Sequence, residues 1–184
     1  MPGVWEGDSG RRRKISLNMD FTVLRIIDAN FNRAREALRV MEEYARFVLD
    51  DAGLTAAIKE TRHALTDEVE RMSARAKARG SMIAYRDIAG DVGREIVTES
   101  EYQRADATQV VVAAGKRLSE ALRAIEEYGK TIDASFAIAI ERLRYQGYEL
   151  ERRLALTAQA RQRFRDVRLY VLLTEELCRG GWFE

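Results

Sequence analysis

The chain has 184 residues, which is enough to bury one sizeable core, and one domain is the expectation for this length. Its 31 basic and 30 acidic residues leave a net charge of +1, so no electrostatic footprint for nucleic acid is present. One cysteine and one histidine exclude an internal disulfide and a histidine-rich metal site, and they fit a reducing cytoplasm.

The N-terminal segment carries no helical pattern at its start. Residues 1–14 combine glycine, serine and charge without periodicity, and we expect a disordered tail over residues 1–21. The basic run at residues 11–14 is followed by no long apolar segment, so it predicts neither a signal peptide nor a membrane anchor. We therefore expect a cytoplasmic protein without membrane or nucleic-acid partners.

A strong helical pattern begins near Thr22 and continues to about Asp50. Its apolar residues recur at alternating steps of three and four, which places them on one side of a helix. These residues are Leu24, Ile27, Phe31, Ala34, Leu38, Met41, Ala45 and Val48. Gly53 is suited to the left-handed cap that ends such a helix. A second helix is predicted from about Thr55 to Arg79, and the short connection makes the pair an αα-hairpin.

The same plan recurs in the second half of the chain. Residues 117–128, RLSEALRAIEEY, repeat residues 33–44, RAREALRVMEEY. Helices are predicted from about Glu99 to Lys130 and then to about Arg165, with Asp133 or Ser135 as the cap between them.

The repeat predicts an all-α fold over residues 22–166. Two duplicated αα-hairpins, at about 22–80 and 99–165, bury their apolar faces best as a pseudo-symmetric four-helix bundle. Residues 81–98 form a glycine- and aspartate-rich loop between the repeats, and long loops in compact domains are disproportionately functional. Asp87 and Asp91 in this loop are candidate ligands of a hydrated Mg²⁺, or turn formers.

The sequence pattern changes from helical spacing to a short apolar run in residues 167–184. Arg168–Thr174 is a short apolar run rich in strand formers, which is typical of a buried parallel strand. Because a lone strand has no sheet to join here, we expect the start of a truncated second domain.

Four arginines lie at the edge of the predicted apolar faces, two in each repeat. They are Arg33, Arg62, Arg117 and Arg144. Buried guanidinium groups are costly unless they are paired, and the candidate partners are Glu36, Glu120 and Glu151. Two interpretations stay open: a structural ion-pair network that ties the hairpins together, or a set of guanidinium forks around a phosphate. The lone Glu60–His63 motif lacks the second histidine of a di-iron bundle, and no standard phosphate loop is present.

Several segments resemble one family. They are residues 25–33 (RIIDANFNR), 42–47 (EEYARF), 86–93 (RDIAGDVG) and 120–130 (EALRAIEEYGK). Together they resemble the helical hydroxymethylpyrimidine-phosphate kinase domain that is often fused to the N-terminus of thiamine-phosphate synthase. The resemblance covers about residues 22–165, and residues 168–178 are similar to the first barrel strand of that synthase.

The resemblance implies transfer of the γ-phosphoryl group of ATP to 4-amino-5-hydroxymethyl-2-methylpyrimidine phosphate. Such transfer needs cations on the phosphates, a bridging Mg²⁺ and an oriented nucleophile. On this basis Arg33, Arg117 and Asp87 are the catalytic candidates, and Asp87 and Asp91 are the metal candidates. The candidates for binding substrate or phosphate are Asn30, Asn32, Glu36, Arg62, Arg86, Gly90, Gly93, Lys116, Glu120 and Arg144.

The resemblance leaves a second function open, because fold does not fix function. The chain would then be a non-catalytic regulatory or docking domain of a thiamine-phosphate synthase. In both cases an appended synthase domain is the expected partner, and a homo-oligomer is left open.

Overall fold

The computed structural model of the chain describes residues 9–75, 104–169 and 171, with side chains from residue 21 onward. Its helices are α1 (Ser9–Phe47), α2 (Ala52–Arg75), α3 (Ala107–Gly129) and α4 (Ala134–Phe164). No strand occurs among these residues. The prediction of an all-α, four-helix fold is therefore confirmed for the described part of the chain.

The four helices pack as a bundle in which each contacts two neighbours. α1 and α4 each pack against both α2 and α3, and the α1–α3 interface is the most extensive. The Tyr44 hydroxyl at the end of α1 lies 3.3 Å from the Thr108 hydroxyl at the start of α3, so these helices are antiparallel. Arg75 at the end of α2 likewise pairs with Asp133 at the start of α4.

These pairings give α2 and α3 the same direction. Arg75 and Arg104 consequently lie at opposite ends of the bundle. We call the end that holds the α1–α2 turn and the start of α3 the turn end. The predicted glycine and aspartate loop, 81–98, lies outside the described residues.

The turn between α1 and α2 differs from the prediction. Asp50, and not Gly53, adopts the left-handed conformation, with φ 56°. Aspartate tolerates this region better than most residues because its short side chain bonds locally. Asp51 then caps α2, since its carboxylate accepts a hydrogen bond of 2.8 Å from the Leu54 amide. Gly53 lies inside the first turn of α2.

Two helix starts also differ from the prediction. α1 begins at Ser9 and not near Thr22, so residues 9–21, which we expected to be disordered, are helical. This segment contains no proline, and its one glycine, Gly10, lies in the first turn, where a helix tolerates it best. α3 begins at Ala107 and not near Glu99, because the Asp106 side chain accepts a hydrogen bond from the Gln109 amide and caps it there. The predicted cap of α4 at Asp133 is confirmed.

The core lies on the faces that the helical stripes predict. Its fully buried large side chains come from all four helices and are Ile27, Leu38, Met41, Leu54, Ile58, Leu65, Met72, Leu118, Leu122, Ile125 and Ile140. Val48 is an exception: it is 40% exposed, because α1 ends at Phe47 and Leu49 enters the core in its place.

The C-terminal strand prediction falls mostly outside the described residues. Of residues 168–174, the structure describes 168, 169 and 171, and none of these is in a strand. None of the described helices is long and apolar enough to cross a bilayer.

Candidate functional site

Each hairpin contains one ion pair across its two helices. In the first, Arg62 lies 3.2 Å from the Glu42 carboxylate, and in the second, Arg144 Nε lies 2.7 Å from the Glu126 carboxylate. Glu42 and Glu126 occupy matching positions of the repeated sequence. The expectation that Glu36, Glu120 or Glu151 pairs with these arginines was wrong. The carboxylates that face α2 and α4 are Glu42 and Glu126, which lie between one and two helical turns after Glu36 and Glu120.

The second ion pair is the more buried and the more elaborate. Arg144 also donates a 3.2 Å hydrogen bond to the Tyr148 hydroxyl, and its guanidinium stacks on the Tyr145 ring at 4.8 Å. The hydrogen bonds to Tyr148 and Glu126 raise the pKa of Arg144 above its ordinary value. Glu126 has Arg123 at 3.7 Å and Lys130 at 3.6 Å as further cations. For Arg62 and Arg144, these contacts favour the structural ion-pair interpretation.

The other predicted cations that the structure describes are on the surface. Arg33, Lys116 and Arg117 are exposed, so the expectation that Arg33 and Arg117 press against apolar surface was wrong. The buried stripes are narrower than predicted, and positions 33 and 117 fall beyond their edges. Arg33 contacts the Asn30 side-chain oxygen at 3.4 Å, and Arg117 Nε donates to the Ala113 carbonyl at 3.3 Å.

No described carboxylate forms an ion pair with these three cations. Glu36 and Glu120 are exposed as well. The surface cations are therefore available to an anionic ligand, whereas the inner arginines already have carboxylate partners.

A polar cluster occupies the middle of α1. Asp28 is 4% exposed, and the Asn32 amide donates to its backbone carbonyl at 2.7 Å and to its carboxylate at 3.4 Å. Asn30 donates to the Ile26 carbonyl at 2.9 Å. Our sequence reasoning missed Asp28, although the signal was available: the repeat has Val112 at the matching position.

A large cleft lies at the turn end of the bundle and has a volume of about 650 Å³. The end of α1, the start of α3 and the second half of α4 form its walls. Apolar residues dominate it, and its polar side chains include Tyr44, Thr108 and Glu151. A shallower cleft of about 360 Å³ beside it shares Asp106, Thr108 and Val112 and reaches Lys116. Sequence reasoning did not predict the large cleft.

Metal candidates cannot be placed on this geometry. The described residues hold no group of three or more histidine, cysteine or acidic side chains that could bind a metal ion. The predicted metal ligands Asp87 and Asp91 lie outside the described residues, as do Arg86, Gly90 and Gly93.

Fold and site together define a class of protein: an antiparallel four-helix bundle with one ion pair in each hairpin and a ligand-sized cleft at one end. A model of the ThiD2 family matches residues 25–153, which is more than half of the chain. The chain belongs to the ThiD2 family.

The relatives of this chain include longer proteins. It is 48% identical over 160 residues to a thiamine-phosphate synthase of Rhodopirellula baltica, a match that covers 84% of this chain and 41% of that protein. It is 36% identical over 154 residues to a thiamine-phosphate synthase of Synechocystis, covering 84% of this chain and 42% of the relative. The chain thus spans less than half the length of these curated relatives. No solved structure matches it significantly.

Proposed function

We propose that this chain is a domain of thiamine biosynthesis that uses ATP to convert hydroxymethylpyrimidine phosphate into the diphosphate. The observation that carries the proposal is the family match over residues 25–153, which contains the motif segments quoted above. The relatives named thiamine-phosphate synthase fit it chemically, because such a synthase uses the pyrimidine diphosphate as a substrate. The parent protein would then be a cytoplasmic fusion that makes and consumes this diphosphate.

The exposed cations support a phosphate-binding role. Arg33 lies eleven residues before Tyr44 on α1, and Arg117 lies nine residues after Thr108 on α3. At a rise of about 1.5 Å per residue, the Tyr44–Thr108 contact puts both arginines at nearly the same level of the bundle. Guanidinium groups bind phosphate oxygens through two parallel hydrogen bonds. In this proposal Arg33, Arg117 and Lys116 hold the phosphates.

The loop between the repeats completes the proposal. Asp87 and Asp91 would hold the Mg²⁺ that accompanies ATP, an ion that proteins often bind through one or two carboxylates plus substrate phosphates. Arg86 would add positive charge, while Gly90 and Gly93 would let the backbone approach a phosphate. Asn30, Asn32, Glu36 and Glu120 remain candidates for the aminopyrimidine edge.

A coupled ADP-release assay tests the proposal. Purified protein would receive Mg²⁺-ATP and the pyrimidine monophosphate, with the non-phosphorylated pyrimidine alcohol as the substrate control. Arg33→Ala and Arg117→Ala should each lower kcat/KM by roughly tenfold or more, the usual effect of losing a charge-assisted hydrogen bond. Arg39→Ala is the matched control, because Arg39 is an exposed arginine of α1 that already pairs with Glu43 at 3.2 Å. A folded wild-type protein without turnover would refute the kinase.

One observation favours the alternative of a regulatory or docking domain. The inner arginines are engaged by Glu42 and Glu126, so the interior holds structural ion pairs in place of an anion site. Titration of this chain into a separately produced thiamine-phosphate synthase domain would test that function. Binding without any kinase turnover would support it, and the absence of binding would refute it.

A further inference from the structure

The large cleft at the turn end has the size and lining of a small-molecule site. Its volume of about 650 Å³ lies within the range of roughly 300–1,000 Å³ that is usual for ligand pockets. Apolar side chains such as Leu154, Ala155 and Ala158 line one wall, and exposed Arg161 lies at its edge. Such walls accept a flat apolar ring, and a nearby cation accepts an anionic substituent.

Glu151 borders the buried stripe of α4, which runs through Gly147, Leu150 and Leu154. Residues 140–145 of α4 (IERLRY) resemble residues 58–63 of α2 (IKETRH), and this alignment matches Glu151 with Val69, which is a buried core residue. Glu151 is partly buried, and none of the described residues forms an ion pair or hydrogen bond with its carboxylate.

Gly115 makes room for this carboxylate. A Cβ atom at position 115 would come within 2.9 Å of the Glu151 Cδ atom, so no larger residue fits without moving the glutamate. The first repeat has Phe31 where the second has Gly115. The first repeat thus has an aromatic and an aliphatic residue where the second has a glycine and a carboxylate. The Glu151 carboxylate faces the cleft and is partly exposed, and departures of this kind from a repeated pattern concentrate at functional sites.

We propose that this cleft binds a small aromatic ring that carries an amino group, and that Glu151 accepts a hydrogen bond from that amino group. The ligand class follows from the apolar walls and the carboxylate. Its identity as an aminopyrimidine phosphate rests on the proposed function. Of the predicted phosphate-binding cations, Lys116 lines the adjoining cleft.

Calorimetric titration without ATP tests the site separately from the kinase. The probes are 4-amino-5-hydroxymethyl-2-methylpyrimidine phosphate and the same compound with hydrogen in place of the amino group. The wild type should bind the amino compound roughly tenfold to a hundredfold more tightly, as expected for a charge-assisted hydrogen bond. Glu151→Val, which installs the residue of the first repeat, should abolish this preference. Glu149→Val is the matched control and should keep it, because Glu149 is an exposed glutamate of α4 that pairs with Arg152.

Gly115→Ala provides a second variant that leaves the carboxylate in the chain. Its added methyl group should displace Glu151 and weaken the preference for the amino compound, while circular dichroism confirms the fold. Equal binding of both compounds by the wild type, or an unchanged preference in Glu151→Val, would overturn the site. Turnover with an unchanged preference would leave the proposed function standing without this site. A preference that depends on Glu151, without turnover, would keep the site and refute the kinase.

Discussion

Of the ion pairs that the structure describes, the one between Glu126 and Arg144 should be the most costly to break. The two side chains are 5% and 7% exposed, and the Arg144 Nε atom lies 2.7 Å from the carboxylate. Removing one member of a buried pair typically costs about 3–5 kcal/mol, because the other charge stays buried without compensation. Arg123 and Lys130 remain near Glu126, so we expect Arg144→Met to cost about 3 kcal/mol, the lower end of that range. Methionine keeps most of the buried stem.

The other ion pairs supply a graded comparison. Glu42 and Arg62 are 11% and 16% exposed and 3.2 Å apart, so Arg62→Met should cost about 1–2 kcal/mol. Arg152 lies on the surface opposite Glu149, and Arg152→Met should leave stability unchanged within error. Urea unfolding followed by circular dichroism at 222 nm measures all three. The loss of about 3 kcal/mol corresponds to a melting temperature lower by roughly 6–12 °C for a chain of this size.

The physical reason can be tested with a second substitution. If the cost of Arg144→Met comes from an uncompensated buried carboxylate, then adding Glu126→Gln should restore part of the lost stability. A double variant that is less stable than Arg144→Met alone would refute this reasoning. So would an Arg144→Met protein that is as stable as Arg152→Met.

Three further predictions concern glycine packing, acid stability and the proposed site. Gly129→Ala should destabilise the fold by about 1–3 kcal/mol in urea unfolding, because its methyl group would come within 2.8 Å of the buried Phe136 ring. Gly53→Ala, on the exposed first turn of α2, should instead stabilise the fold by about 0.5–1 kcal/mol. Hydrogen bonds from the Ser135 hydroxyl and amide lower the pKa of Asp133 to about 2. The stabilising effect of the ionised Asp133 should therefore be lost as the pH falls from about 4 to about 2. The free energy of unfolding of Asp133→Asn should decrease less than that of the wild type over this interval. Glu151→Val should raise the melting temperature while the preference for the aminated ligand is lost. A lower melting temperature would contradict the packing of Glu151 against Gly115 of α3.

The bundle could be predicted from the sequence because the pattern that specifies each helix is local and occurs in both halves of the chain. Apolar residues at helical spacing located the core faces of α1 and α3, and the repeated motif indicated two hairpins. Helix ends were less predictable because single side chains decide them. Asp106 stops α3 from starting earlier, and Asp50 adopts the left-handed conformation that we assigned to a glycine.

The candidate site was less predictable because it depends on contacts between helices. Periodicity placed Arg62 and Arg144 near the inner faces, but only the fold shows which carboxylates meet them. Arg33 and Arg117 were placed at the edge of the buried face but lie outside it, because successive helical positions differ by about 100° around the helix axis and a small error in the width of the face moves a residue out of it. The cleft around Glu151 combines the ends of three helices that are distant in sequence. Comparing the two repeats position by position would have identified Glu151 and Gly115 as departures from the pattern.

Direct detection of the transferred phosphate tests the proposed activity most directly. The protein would be incubated with Mg²⁺ and ATP labelled at the γ-phosphate, together with the pyrimidine monophosphate, and the products would be separated and identified by mass spectrometry. We predict a pyrimidine diphosphate that carries the label, formed in proportion to ADP and strongly reduced in Arg33→Ala but not in Arg39→Ala. ADP without labelled diphosphate, or no reaction from a protein that circular dichroism shows to be folded, would contradict the kinase.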